Sequence, residues 1–198
     1  MCEVPQLTDL DLTGIDTVAI DLETYDPNLK TKGLGAVRKD GFVCGIAIAT
    51  KKKTLYFPIA HNMTDNLNTK ETWDYLNEKV FKNKGLRKVF HNAMYDVCWI
   101  KSLGLKIEGK IIDTMIASAL VDENQMRYDL NNCAKRYTGQ GKDEAALYNA
   151  AKEWGVDPKA EMYKLPAMYV GEYAERDAEI TLALWQELKK EILLQDLN

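Results

Sequence analysis

An α/β fold, a mixed five-stranded sheet flanked by helices, is predicted for this 198-residue chain by three features of its sequence. Three early segments have strand length and strand periodicity and follow one another as a meander would, which makes them antiparallel. Two later short apolar segments are separated by helical stretches, which suits parallel strands added through right-handed crossovers. The last third is helical and ends in one long amphipathic helix. The length fits a single domain over residues 1–198 and is enough to bury roughly 70% of the unfolded chain's surface.

The elements follow in order. Residues 17–23 alternate, with Val18, Ile20 and Leu22 on one side and Thr17, Ala19, Asp21 and Glu23 on the other, the period of a strand. Residues 42–50 and 54–59 are further strands, joined by the turn Lys51-Lys52-Lys53, and a Pro/Gly/Lys-rich loop over 25–41 precedes them. Thr69 is positioned to cap a helix carrying Trp73, Leu76 and Val80 at spacings of three and four. A buried strand over 86–90 leads into a helix over 93–103 stopped by Gly104. A short strand over 110–112 leads into a helix over 115–121. Helices are then expected over 129–137, 143–154 and about 167–195. Three antiparallel strands followed by two parallel ones give a ribonuclease-H-like order.

Composition narrows the function. With 28% charged and 46% hydrophobic residues, 12 Gly and 5 Pro, the chain is neither low-complexity nor collagen-like. No apolar run approaches the roughly 18–20 residues of a membrane span, and the Met1-Cys2-Glu3-Val4-Pro5 terminus lacks the basic and apolar regions of a signal peptide. Cys2, Cys44, Cys98 and Cys133 form no Cys-x-x-Cys pair. With only two histidines an ordinary zinc site is not expected, and reduced thiols are. A net charge of −4 argues against a polycationic nucleic-acid clamp, yet leaves room for an enzyme that brings divalent cations to a phosphate.

Acids stand where the pattern calls for apolar groups. Tyr169, Tyr173, Asp177, Ile180, Leu184 and Leu188 lie within about a third of the final helix's circumference. Asp177 therefore points into the buried face, where a carboxylate needs hydrogen bonds, a cation, or an ion pair to a residue such as Arg136. Asp21 and Glu23 project from one face at the end of an apolar strand, roughly 6–7 Å apart, and like charges so placed call for a cation between them. Hard divalent ions take such oxygen ligands. An Asp-x-Glu arises easily by chance among 30 acidic residues, and a second occurs at Asp177-Ala178-Glu179. That one falls on a helix, where i and i+2 face apart. Asn92 is a plausible cap where the 86–90 strand gives way to a helix, and Asp96 sits in that helix's first turns, where the dipole favours negative charge.

Taken in order, Asp21-x-Glu23, Asn92-x-x-x-Asp96 and Tyr173-x-x-x-Asp177 resemble the three exonuclease motifs of the DEDD superfamily, in its tyrosine variant. The histidine variant carries His five residues before the last Asp, a position that here is Glu172. Ile20-Asp21-Leu22-Glu23-Thr24, Phe90-His91-Asn92-Ala93, Ile112-Asp113-Thr114-Met115 and Tyr128-Asp129-Leu130 are similar to the proofreading domain of family A (polymerase I-type) DNA polymerases, and the loop Tyr25-Asp26-Pro27-Asn28-Leu29-Lys30 to phage versions. The resemblance implies 3′→5′ removal of nucleoside 5′-monophosphates from a single-stranded DNA end by two-metal-ion hydrolysis, with Mg²⁺ as the ion and Mn²⁺ able to substitute. It implies that Asp21 contacts both ions, that Glu23 and Asp177 complete the nucleophile-side site, and that Asp96 holds the second. Tyr173 orients the water, Asn92 fixes the strand end or the scissile nucleotide, and the backbone at Thr24 approaches the 3′-terminal sugar. It further implies a monomer in a bacterial or phage-infected cytosol, away from membranes, working with a polymerase domain in the same or another chain. An RNase D-like exoribonuclease and an inactive single-strand-binding or docking domain are the competing readings.

Weaker signals surround these. His91 is placed to stack on a base, contact a phosphate, or pack at the strand end. Tyr25, Phe42, Tyr95 and Tyr128 are candidate stacking platforms, and Lys30, Lys32, Arg38, Lys39, Lys135 and Arg136 candidate phosphate contacts. Asp113 is read chiefly as a helix cap, and His61 as a loop residue.

Overall fold

The computed structural model describes residues 4–63 and 66–197, so that Cys2 lies outside the described residues. Strands β1 (Thr17–Tyr25), β2 (Phe42–Ala49) and β3 (Thr54–Pro58) form the antiparallel meander. Strands β4 (Arg87–Phe90) and β5 (Ile111–Asp113) add in parallel on the other side of β1, giving the order β3-β2-β1-β4-β5. The sheet is the mixed one that the sequence predicts. The segment read as a loop before β2 contains two one-turn helices, α1 (Leu29–Lys32) and α2 (Gly35–Arg38).

The period-two alternation of β1 becomes two unlike layers. Val18, Ile20 and Leu22 join Ile46, Ile48 and Phe57 in a core of large side chains. This core is closed by α3 (Thr69–Leu76), its widened last turn Asn77–Phe81, and α4 (Ala93–Ser102). Ala19, Ala47 and Ala49 line the opposite face, where Ala174 and Ala178 of the long helix α8 (Ala167–Leu194) meet them. Small residues on both sides let helix and sheet approach closely. Helices α5 (Thr114–Val121), α6 (Leu130–Thr138) and α7 (Ala145–Trp154) complete the chain, with Ala117, Leu130 and Cys133 packed on Ile180, Leu184 and Leu188 of α8. Glu175 of α8 also accepts a hydrogen bond from the Tyr56 N–H at 2.8 Å, which occupies part of the free edge of β3.

Two local expectations need correction, and His61 keeps its expected place in a loop. The cap of α3 is Asn68, one residue before Thr69, because its side chain is the one that accepts from the Glu71 N–H. Asn92 precedes α4 in a left-handed conformation, φ +66°, that turns its side chain away from capping. The cap comes from the neighbouring strand, where Asp113 at the end of β5 accepts from the N–H groups of Asn92 and Ala93 at 3.0 and 2.8 Å and from its own helix at Met115, 2.9 Å. His61 is in a loop but buried. The Leu165 carbonyl beside its Nδ1 can only accept, so Nδ1 carries the proton and Nε2 accepts from the Tyr56 hydroxyl at 2.7 Å. Tyr56 needs Gly45, because a Cβ there would lie 1.9 Å from the tyrosine oxygen.

Asp113 thus holds the starts of two helices. At about 1–2 kcal/mol per cap, Asp113→Ala should lower unfolding free energy by about 2–4 kcal/mol in urea titration. A loss no larger than that of a single cap would show that α4 starts without it.

Candidate active site

Strand β1 pairs with β4 only from Thr17 to Ala19, so its later backbone groups on that side lack a strand partner. The Leu22 N–H donates to Asp96 Oδ1 instead, at 3.0 Å, which fixes the α4 carboxylate beside the end of β1. On the other face, the register skips between Glu23 and Thr24, and α8 brings Tyr173 and Asp177 over Asp21 and Glu23. Asp21, Glu23, Thr24, His91, Asn92, Tyr95, Asp96, Tyr173 and Asp177 all line one cleft of about 290 Å³, together with Lys142 and Lys159. The residues of the three motifs and their neighbours therefore meet at this cleft, whereas the candidate stacking rings Tyr25, Phe42 and Tyr128 and the candidate phosphate contacts Lys30, Lys32, Arg38, Lys39, Lys135 and Arg136 do not line it.

Glu23, Asp96 and Asp177 are buried and Asp21 half-buried. Burial, then the Asp177 charge, pushes the Asp21 carboxyl up to about 7, with Lys142 opposing. Burial and the charges of Asp21 and Asp177 raise Glu23 well above the usual carboxylate range. Burial and Asp21 do the same to Asp96, against the Leu22 hydrogen bond. Burial and the neighbouring acids also drive the Tyr173 phenol upward, so it stays protonated and can donate but not act as a base.

The surrounding contacts separate the candidates. Both ring nitrogens of His91 are engaged, Nε2 with the Tyr128 carbonyl at 2.8 Å and Nδ1 with Thr114 Oγ1 at 2.9 Å, which leaves neither for a phosphate. Thr24 Oγ1 and Tyr95 Oη share a hydrogen bond of 2.6 Å at the cleft. Tyr25 and Phe42 pack on Tyr163, with ring centroids 4.8–5.4 Å apart, and the Tyr128 hydroxyl donates to the Asp122 carbonyl. Arg38 is held by Asp26 and Asp40. Arg136 pairs with Asp122 and not with Asp177. The partner of Asp177 is Lys142, which sequence reasoning missed along with Lys159. Both lie in polar segments flanking α7, and no periodicity marks them.

The donor set fits hard divalent cations. Four carboxylates face one cleft, and Glu23 Oε1 and Asp177 Oδ1 are buried with no hydrogen-bond partner. Among the described residues the acids do not converge into a ready-made set of three ligands, and lysine ammonium groups stand among them.

The chain belongs to a 3′–5′ exonuclease family, that of the DNA polymerase A type, which matches it over residues 7–193. It is similar to the DNA-directed DNA polymerase of Pseudomonas phage M6, 37% identical over 190 residues that cover 93% of this chain and 28% of the phage protein. The chain thus spans little more than a quarter of that relative's length. Its fold is similar to that of Trypanosoma brucei RNase D, with a TM-score of 0.68 at 21% identity, covering 92% of this chain and 61% of that one. It is similar too to Brucella melitensis NrnC with bound Mg²⁺, with a TM-score of 0.65 at 20% identity, covering 94% and 78%.

The raised acids fix the sign of a pH effect. Asp21 holds its proton in the folded metal-free protein between about pH 4, where a free carboxylate titrates, and about 7. Its contribution to stability is complete below that window and lost as pH rises through it. His61, pushed down to about 4 by burial, acts oppositely, losing stability as pH falls below about 6.5. In EDTA, Asp21→Asn should therefore melt several degrees above the parent at pH 8, with the gap closing toward pH 4. A gap independent of pH would contradict the assigned burial of charge.

Proposed function

We propose that this exonuclease domain is metal-dependent, degrades the 3′ end of single-stranded DNA to nucleoside 5′-monophosphates, and serves as a proofreading module for a family A polymerase domain. The observation that carries the reading is the set of four acids in one cleft, two of them with buried oxygens lacking any partner. Asp21, central among the charges, would contact both cations, with Glu23 and Asp177 completing one site and Asp96 the other. Bound Mg²⁺, or Mn²⁺ in its place, lowers the pKa of water and offsets charge at the phosphorus. Water adds to the terminal phosphodiester, the P–O3′ bond breaks, and the released nucleotide keeps the phosphate on its 5′ oxygen. Tyr173, fixed as a donor by its raised pKa, orients the attacking water. Asn92, exposed in its left-handed turn, and the Thr24–Tyr95 pair would hold the terminal nucleotide.

Support for DNA comes from the similarity to a phage DNA polymerase over 93% of this chain. The setting we propose with it is the cytosol of a bacterial or phage-infected cell.

Matched 5′-labelled DNA and RNA oligonucleotides, with Mg²⁺, Mn²⁺ or EDTA, test the reading. A ladder shortening from the 3′ end of DNA is expected only with metal. Because losing even a partner of a metal ligand costs about 10–100-fold, Asp21→Asn should lose more than about 100-fold. Faster RNA cleavage would assign an RNase D-like activity, and binding without cleavage would make this a strand-holding domain.

A further inference from the structure

Two ammonium groups stand among the acids, and they are held differently. Lys159 lies with its Nζ 3.9 Å from the Tyr173 ring centroid, but its ion pair is with Glu144 at 2.7 Å, outside the acid cluster. Lys142 is committed to the cluster. Its Nζ donates to Asp177 Oδ2 and lies 3.2 Å from Tyr173 Oη. The pair is shielded, the Lys142 side chain being 19% and the Asp177 side chain 5% exposed, so it is not a solvated surface contact of little consequence.

The other Asp177 oxygen has no hydrogen-bond partner. Lys142 is therefore what balances this carboxylate when no other cation is present. A divalent ion on Asp177 and an ammonium on the same carboxylate repel each other at close range in a poorly solvated cleft. The Lys142 backbone is pinned by its N–H donating to Asn131 Oδ1 at 3.1 Å, and a lysine's four-carbon stem is intrinsically flexible, so the ammonium can move without moving the backbone.

Resting on the metal-ion reading above, we propose that Lys142 is a positioning residue, the resident counter-cation of Asp177 that a divalent ion must displace. The same displacement removes the ammonium from the acceptor side of the Tyr173 hydroxyl, so metal loading and the opening of that oxygen to water are one event.

Isothermal titration with Mn²⁺, without nucleic acid, tests this on the whole chain. Lys142→Met keeps the stem but removes the charge, and should bind Mn²⁺ about tenfold tighter than the parent because no ion pair has to be broken. Lys142→Arg keeps the pair and should bind like the parent. Lys159→Met should change affinity by less than about threefold, its charge being paired elsewhere. Lys142→Gln repeats the key comparison should the methionine variant fold poorly. A structural role for Lys142 would weaken Mn²⁺ binding when it is removed, and weaker or unchanged affinity overturns the inference. Equal tightening in Lys142→Met and Lys159→Met would also overturn it, by showing a diffuse charge effect without occupancy of Asp177. Binding by the parent with no gain in the variants refutes this inference alone. No binding by any form refutes the metal-ion reading, and this inference with it.

Discussion

Mutual repulsion among Asp21, Glu23, Asp96 and Asp177 is the constraint around which the rest of the molecule is organised. Buried carboxylates at one cleft would separate or protonate unless the backbone held them and something positive faced them. Three different devices hold them. Strand pairing fixes Asp21 and Glu23 on the face of β1 that meets α8. The Leu22 N–H, left free where β4 diverges, fixes Asp96. Close packing of Ala19, Ala47 and Ala49 on Ala174 and Ala178 brings Asp177 over the sheet. A larger residue at any of these alanines would lift the helix and with it one wall of the cleft.

The second organising feature is the bracing between β4, β5 and the helices that follow them. His91 ties the end of β4 to Thr114 at the start of α5 and to the carbonyl of Tyr128, and Asp113 caps both α4 and α5. Residues that look like substrate contacts or single caps in the sequence are here crosslinks. They set the position of α4, and so of Asp96. Burial favours the neutral form of His91, in which Nε2 carries the proton that it donates to the Tyr128 carbonyl. His61 and Tyr56 make a similar uncharged brace on the α8 side.

The cleft's charge balance comes from the least regular part of the chain. Lys142 and Lys159 lie outside the regular elements, on either side of α7, yet their charges are felt at Asp21 and Glu23. A chain of net charge −4 thereby places two ammonium groups among its acids.

The sequence by itself determined the strand order, the inward face of the last helix and the acids that break its apolar pattern. Each follows from local periodicity, which sterics and the hydrophobic effect impose residue by residue. It also set Asp21 and Glu23 apart from the helical Asp177-x-Glu179, because side-chain direction depends on the local period. What only the tertiary structure decided was partnership. Asp177 pairs with Lys142 and not Arg136, Asn92 yields its cap to Asp113, and His91 spends both nitrogens on the protein. These contacts join residues 20 or more positions apart in the chain, and long-range pairing leaves no periodic trace. It depends on how closely the layers pack, and here that distance is set by alanines whose smallness carries no signal until the sheet and helix are brought together.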